Sequence, residues 1–187
     1  MLTSSPQSII GLTGTNASGK GAAALFLTEH GYDFYSLSDV LRETMAKQGI
    51  MESRLAFIDI GTQLRQEHGV DVLAKKTIEK IEQNPSKKIV VDSFRHPSEV
   101  ELFKKTYANF ILLCIDAPVE LRFERAKKRG RAENADTLEQ FIHNETLESS
   151  NNQQAQQLNA TLALADHTLI NQDNLADLHQ QLTAFLP

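Results

Sequence analysis

The chain has 187 residues, 41% of them hydrophobic and 23% charged, which suits one globular domain and leaves little room for two. A net charge of −5 argues against a broad basic surface for nucleic acid. Cys114 is the only cysteine, which excludes an internal disulfide and a Cys-based zinc site; its setting, FILLCID, suits a small buried hydrophobe.

The opening residues, MLTSSPQS, lack the basic start and apolar core of a secretory signal. No apolar run is long enough to span a bilayer, so a soluble cytoplasmic protein without a membrane partner is expected. Ser8 to Thr13, SIIGLT, is a buried strand feeding a glycine-rich turn. A helix follows from Lys20 to about Glu29, with Ala22, Leu25 and Phe26 on one face, and Gly31 stops it. DFYSL reads as a second strand. Ser38 is the expected cap of the helix DVLRETMAKQ, which Gly49 breaks. Helical stretches at about 52–67 and 71–83 flank HGV, and the turn NPSKK leads into a third strand, IVVD, ending at Asp92. Pro97 opens a helix through Lys105, NFILLCID is a fourth strand, and Pro118 opens a helix through Lys128. RGRAENAD is a polar break. Helices at about 137–148 and 153–163 come next, then a short fifth strand, HTLI. NLADLHQQLTAFL closes the chain as a helix with Leu175, Leu178, Leu182 and Phe185 inward.

Strands that are continuously apolar and alternate with helices predict an α/β fold: a five-stranded parallel sheet covered by helices on both faces, three layers in one domain. Ligands in such sheets bind beyond the carboxyl ends of the strands. Three groups fall there: Gly14 to Gly21 after the first strand, Asp39 after the second, and Asp92 to Arg95 after the third.

Gly14, Thr15, Asn16, Ala17, Ser18, Gly19, Lys20 and Gly21 have the Gly-x4-Gly-Lys form of a phosphate-binding loop, and Ala22 follows. Its glycines let backbone N–H groups approach phosphates, the helix behind it adds a favourable dipole, and Lys20 can reach the β and γ phosphates. The hydroxyl that usually holds Mg²⁺ is missing at Gly21, and Ala22 offers no replacement. Two readings stay open. Either Mg²⁺ is held by nucleotide phosphates, waters and outer carboxylates, or the protein binds nucleotide and catalyses poorly.

With IIGLTGTNASGKG, SLSDVLRE, VVDSFRHPSEVE, RFERAKKRGR and ADHTLINQDNLADL, the chain resembles the P-loop nucleoside monophosphate kinases. The likeness is strongest to the adenylate-kinase-related branch found fused to deoxycytidylate-deaminase-like domains. The chain is also similar to dephospho-CoA kinase at IIGLTG and in its closing segment. The resemblance implies the P-loop NTPase fold, ATP and Mg²⁺. It implies acceptor-binding helices over about 38–84 and a short lid over about 125–137. It makes Asp39 and Arg42 the pair beside the acceptor phosphate, Asp92 the strand-end carboxylate near Mg²⁺, and Arg95 a second acceptor-phosphate ligand. It makes Arg125 the adenine-stacking arginine, Arg129 a phosphate clamp with Arg131 as a further lid candidate, and Asn171 a neighbour of the adenine. The chain departs from the family in reading Asp-Ser-Phe-Arg-His-Pro, which brings Arg95 one place early, and in a lid of about RGRAENAD without a zinc-binding Cys-x-x-Cys. It also lacks the paired leucines and Phe-Glu that follow the third strand in dephospho-CoA kinases.

The chemistry of the residues supports a kinase. Phosphoryl transfer needs positioning and charge neutralisation, and arginine forks fix an acceptor phosphate. Arg65 is either a third phosphate contact, a base contact, or a surface residue of its helix. Phe34, Tyr35 and Phe94 are aromatic candidates near the base, with Phe34 expected in the core. A phosphate acceptor needs no general base. A hydroxyl acceptor, as in dephospho-CoA, does, and Asp39 is then the candidate. A nucleotide sensor without turnover is the non-enzymatic alternative.

Overall fold

A computed structural model describes residues 8–129, 136–147, 155–172 and 174–187. Five strands form one parallel sheet: β1 (Ser8–Gly14), β2 (Asp33–Ser36), β3 (Lys88–Asp92), β4 (Phe110–Asp116) and β5 (His167–Ile170), in spatial order β2-β3-β1-β4-β5. Nine helices are assigned among the described residues: α1 (Lys20–Glu29), α2 (Leu37–Gln48), α3 (Arg54–His68), α4 (Val72–Glu82), α5 (Pro97–Thr106), α6 (Val119–Lys128), α7 (Leu138–Leu147), α8 (Leu158–Leu162) and α9 (Leu175–Thr183).

Side chains alternate across each strand, so the sheet feeds two cores. On one face Ile9, Ile89, Val91 and Leu112 pack with Leu37, Met45, Ile81 and Phe103 of α2, α4 and α5. On the other, Ile10, Leu12, Val90 and Ile115 pack with Ala23, Leu27, Leu178 and Leu182 of α1 and α9. Cys114 is buried in β4, and burial is the first cause raising its thiol pKa. Gly11 lets β1 and β4 share the first core: a Cβ there would lie 2.5 Å from the Phe110 ring. The expected fold is the observed one, and central β1 aims its loop into the crevice where strand order departs to either side.

Several local expectations are corrected. Ser36, not Ser38, caps α2: its Oγ accepts the Ser38 N–H at 3.3 Å, and Leu37 is already helical. In α1 the buried face is Ala23, Ala24, Phe26 and Leu27, because that arc meets the sheet and α9; Leu25 points to solvent. Phe34 is 47% exposed, since β2 is an edge strand and its outer face is uncovered. The eighth helix starts at Leu158, not near residue 153, because the Gln157 N–H is drawn to the Arg95 carbonyl at 2.9 Å. Leu175 is 55% exposed, at the first residue of α9 beyond the reach of the sheet. Residues 130–135 of the lid segment, Arg131 among them, lie outside the described residues.

Candidate active site

The loop after β1 folds into a cradle. Ala17 and Gly19 take left-handed backbone conformations, φ 58° and 112°, which turn successive N–H groups to one side. Gly19 has no alternative, since a Cβ would sit 2.1 Å from Asn171 Nδ2. Lys20 opens α1 and donates from Nζ to the carbonyls of Gly14 and Thr15, both at 2.8 Å, which folds it back over the loop. Thr15 Oγ1 donates to Asp116 Oδ1 at 2.9 Å, at the end of β4.

Beside this loop is a cavity of about 340 Å³. Asn16, Ala17, Ser18, Gly19, Lys20 and Gly21 form one wall. Arg42 comes from α2, Arg54 and Arg65 from α3, and Asp92, Ser93 and Arg95 from the end of β3; Arg129 reaches in from the end of α6. Leu41, Phe57, Ile58 and Leu73 supply apolar wall. A second cavity, of about 410 Å³, opens on the other side of the loop between Ala22, Arg125, Asn171 and Leu175, and Arg129 lines both. Asn171 is buried: its Nδ2 donates to the Ser18 carbonyl at 2.8 Å, and its own carbonyl accepts from Arg125 at 3.1 Å. Burial, then the charge of Arg129, lowers the Arg125 guanidinium from its ordinary value.

The structure thus brings Lys20, Arg42, Arg95, Asp92 and Arg129 to one cavity and Arg125 with Asn171 to the other. Asp39 does not line the cavity. It accepts from Arg42 at 2.8 Å, with both side chains nearly half exposed, so it reaches the site through that arginine. Glu52 lies 3.6 Å from the same guanidinium, which also packs over the Phe57 ring. Asp92 Oδ1 accepts the Ser93 N–H at 2.6 Å, and Ser93 itself sits at φ 74°. A non-glycine residue held there marks strain retained at a site.

Arg65 is neither exposed nor solvated. It is 3% exposed, and its Nη2 donates to Glu99 Oε1 at 2.8 Å. Glu99 Oε2 accepts the N–H groups of Arg95 and His96, closing the cap of α5, so one carboxylate joins α3 to the loop that carries Arg95. Phe94 is buried edge-on against Phe103 and is unavailable to a ligand. Tyr35 accepts from Asn84 away from the cavity.

The residues fit Mg²⁺ in one particular way. Among the described residues no three His, Cys, Asp or Glu side chains form a metal cluster. Mg²⁺ needs no such cage, because one or two carboxylates, substrate phosphates and waters hold it. Asp92 is the carboxylate at the cavity wall. A Cβ on Gly21 would meet nothing within 4 Å, so the space of the missing hydroxyl is open to water.

An AAA-domain family model matches residues 10–159. A UPF0200 protein of Sulfurisphaera tokodaii is 33% identical over 180 residues, covering 95% of each chain. The chain belongs to the AAA-domain and UPF0200 families. Among solved structures, TT1252 from Thermus thermophilus covers 96% of both chains at TM-score 0.62 and 21% identity. Shikimate kinase from Bacteroides thetaiotaomicron covers 96% of this chain and 98% of its own at TM-score 0.58 and 14% identity. At these identities the likeness is one of fold.

The loop and strands are legible in the sequence, but the support around them is less so. Arg122, inside the charged run RFERAKKRGR, is buried: it donates to the carbonyls of Ala117 and Asn16 and pairs with Glu145 of α7. A charged run reads as a solvated face, and nothing in its spacing separates Arg122 from its exposed neighbours. Arg54 and Gln156, also at the cavity, carry no motif at all. No described helix is long and apolar enough to cross a membrane.

Proposed function

We propose that the chain transfers the γ-phosphoryl group of ATP to a small phosphorylated acceptor, a ribo- or deoxyribonucleoside monophosphate. One observation carries this reading. The cavity beside the phosphate loop is lined by Lys20, Arg42, Arg54, Arg95 and Arg129, besides Arg65, which Glu99 neutralises, against Asp92 as its one carboxylate among the described residues. So cationic a wall calls for an anionic acceptor, and arginine forks hold phosphate bidentately.

The loop N–H groups and Lys20 hold the donor phosphates, and Lys20 neutralises charge developing on the transferred group. Arg42 and Arg95 orient the acceptor phosphate, whose oxygen forms the new P–O bond as the bond to the departing ADP breaks. That oxygen is already ionised, so no residue need remove a proton. Arg129, at the junction of the two cavities, follows the charge between them. Arg125, Asn171 and the open face of Ala22 and Leu175 form the adenine side. Asp92 would hold Mg²⁺ through water, and the ion would neutralise the phosphates when bound.

The test is ADP formation from ATP and Mg²⁺ across the nucleoside monophosphates and dephospho-CoA, with Lys20→Ala as control. Turnover with a monophosphate, lost in the control, supports the reading. Turnover only with dephospho-CoA replaces the acceptor. ATP binding with no turnover overturns the kinase and leaves a nucleotide sensor.

A further inference from the structure

Three side chains lining this cavity carry buried polar atoms without a hydrogen-bond partner: Ser18 of the phosphate loop, at its Oγ, and two others, Arg65 and Gln156. Arg65 leaves Nε and Nη1 unpaired, and Gln156 leaves Oε1 unpaired. Both of these residues are more than nine-tenths buried, at 3% and 7% exposure, and both line the cavity. Buried donors and acceptors without partners are costly and rare, and their concentration at one cavity calls for a ligand that completes them.

The kind of ligand follows from charge. Glu99 already neutralises Arg65 at 2.8 Å, so Arg65 offers hydrogen-bond donors without a net charge to match. A second phosphate there would be buried against a neutral pair, whereas a carbonyl oxygen accepts from a guanidinium at no such cost. Gln156 Oε1 asks for an N–H. Leu41, Phe57, Ile58 and Leu73 give the cavity the apolar faces a flat ring needs. The backbone sets this group beside the phosphate ligands: Arg95 is held at its N–H by Glu99 and at its carbonyl by the Gln157 N–H.

We infer that Arg65 and Gln156 read the base of the acceptor, and that this base presents a carbonyl next to an N–H, as a 6-oxopurine or 4-oxopyrimidine monophosphate does. The inference rests on the monophosphate-kinase reading and names its substrate class. An amino base offers a ring nitrogen to the Arg65 N–H donors, a weaker acceptor than a carbonyl, and sets its exocyclic N–H₂ close to the guanidinium.

The test uses matched pairs that differ at this edge, IMP against AMP and UMP against CMP. Binding is measured by calorimetry and kcat/KM with ATP. The oxo member of a pair is expected to be preferred by about tenfold or more, the worth of one buried hydrogen bond. Gln156→Leu should erase most of that preference while leaving the ATP Kd unchanged. Arg65→Lys, which keeps Glu99 paired, should act likewise; if it fails to fold, Gln156→Leu carries the test. A preference for the amino member, or a Gln156→Leu loss equal for both members, overturns the inference. So does the absence of any monophosphate binding, even if ATP is turned over on another acceptor. If monophosphates bind with the oxo preference but no transfer occurs, the kinase reading fails and the base-reading edge stands.

Discussion

Asn171, just beyond β5, donates from Nδ2 to the backbone carbonyl of Ser18 at 2.8 Å, so the last strand holds the phosphate loop across 153 residues of chain. Asn171→Ala strands that buried carbonyl and removes the 3.4 Å contact of Arg125 with Oδ1, while the bond of Arg125 to the Asn171 backbone carbonyl stays. A loss of about 1–3 kcal/mol is expected in urea unfolding, with an ATP Kd weaker by about tenfold. Unchanged stability and affinity would show that the loop holds its shape alone.

Gly21→Ser adds a hydroxyl where a side chain meets open space. Stability should hold or rise by about 0.5 kcal/mol, because serine is the better helix residue. The Mg²⁺ concentration for half-maximal turnover should fall. An unchanged Mg²⁺ requirement would mean the ion is held away from the start of α1.

Asp39→Asn breaks a half-exposed pair with Arg42, so stability should move by less than about 1 kcal/mol. With a phosphate acceptor, acceptor KM should rise by less than about tenfold and kcat should hold, because the residue only steadies Arg42. A collapse of kcat would make Asp39 a base and the acceptor a hydroxyl.

Glu99→Ala leaves Arg65 buried and unpaired and uncaps α5. The expected cost is about 3–5 kcal/mol in equilibrium unfolding. Replacing both partners with apolar residues of similar volume, Arg65→Met with Glu99→Leu, should recover much of that stability but not acceptor binding.

Asp166 joins α5 to the sheet, accepting the Leu112 N–H at 2.8 Å and the Lys104 ammonium at 2.7 Å. Burial opposes its ionisation, but the Leu112 N–H and Lys104 outweigh it and hold the carboxyl below its ordinary range. A depressed carboxyl stabilises the fold above the unfolded value of about 3.9 and loses that contribution as pH falls through the folded one. Stability should therefore drop on acidification below about pH 4, and Asp166→Asn should flatten that limb. An identical acid limb in the variant would assign it to other groups.

The strands, the phosphate loop and the strand-end placement of Asp92 and Arg95 were legible because each is a local pattern. An apolar run, a Gly-x4-Gly-Lys spacing and a carboxylate after IVVD depend on neighbours within a few residues. What surrounds those features came from packing. Arg65 meets Glu99 from 34 residues away, and Arg122 reaches the Asn16 carbonyl from 106. Gln156 enters the cavity only because the Arg95 carbonyl takes the next N–H and delays a helix. Leu175 and Phe34 read as core residues by periodicity, yet both are exposed, because periodicity gives a face and not what covers it. Burial and pairing are set by elements far apart in the chain, and they turn a legible phosphate site into a cavity with a particular edge.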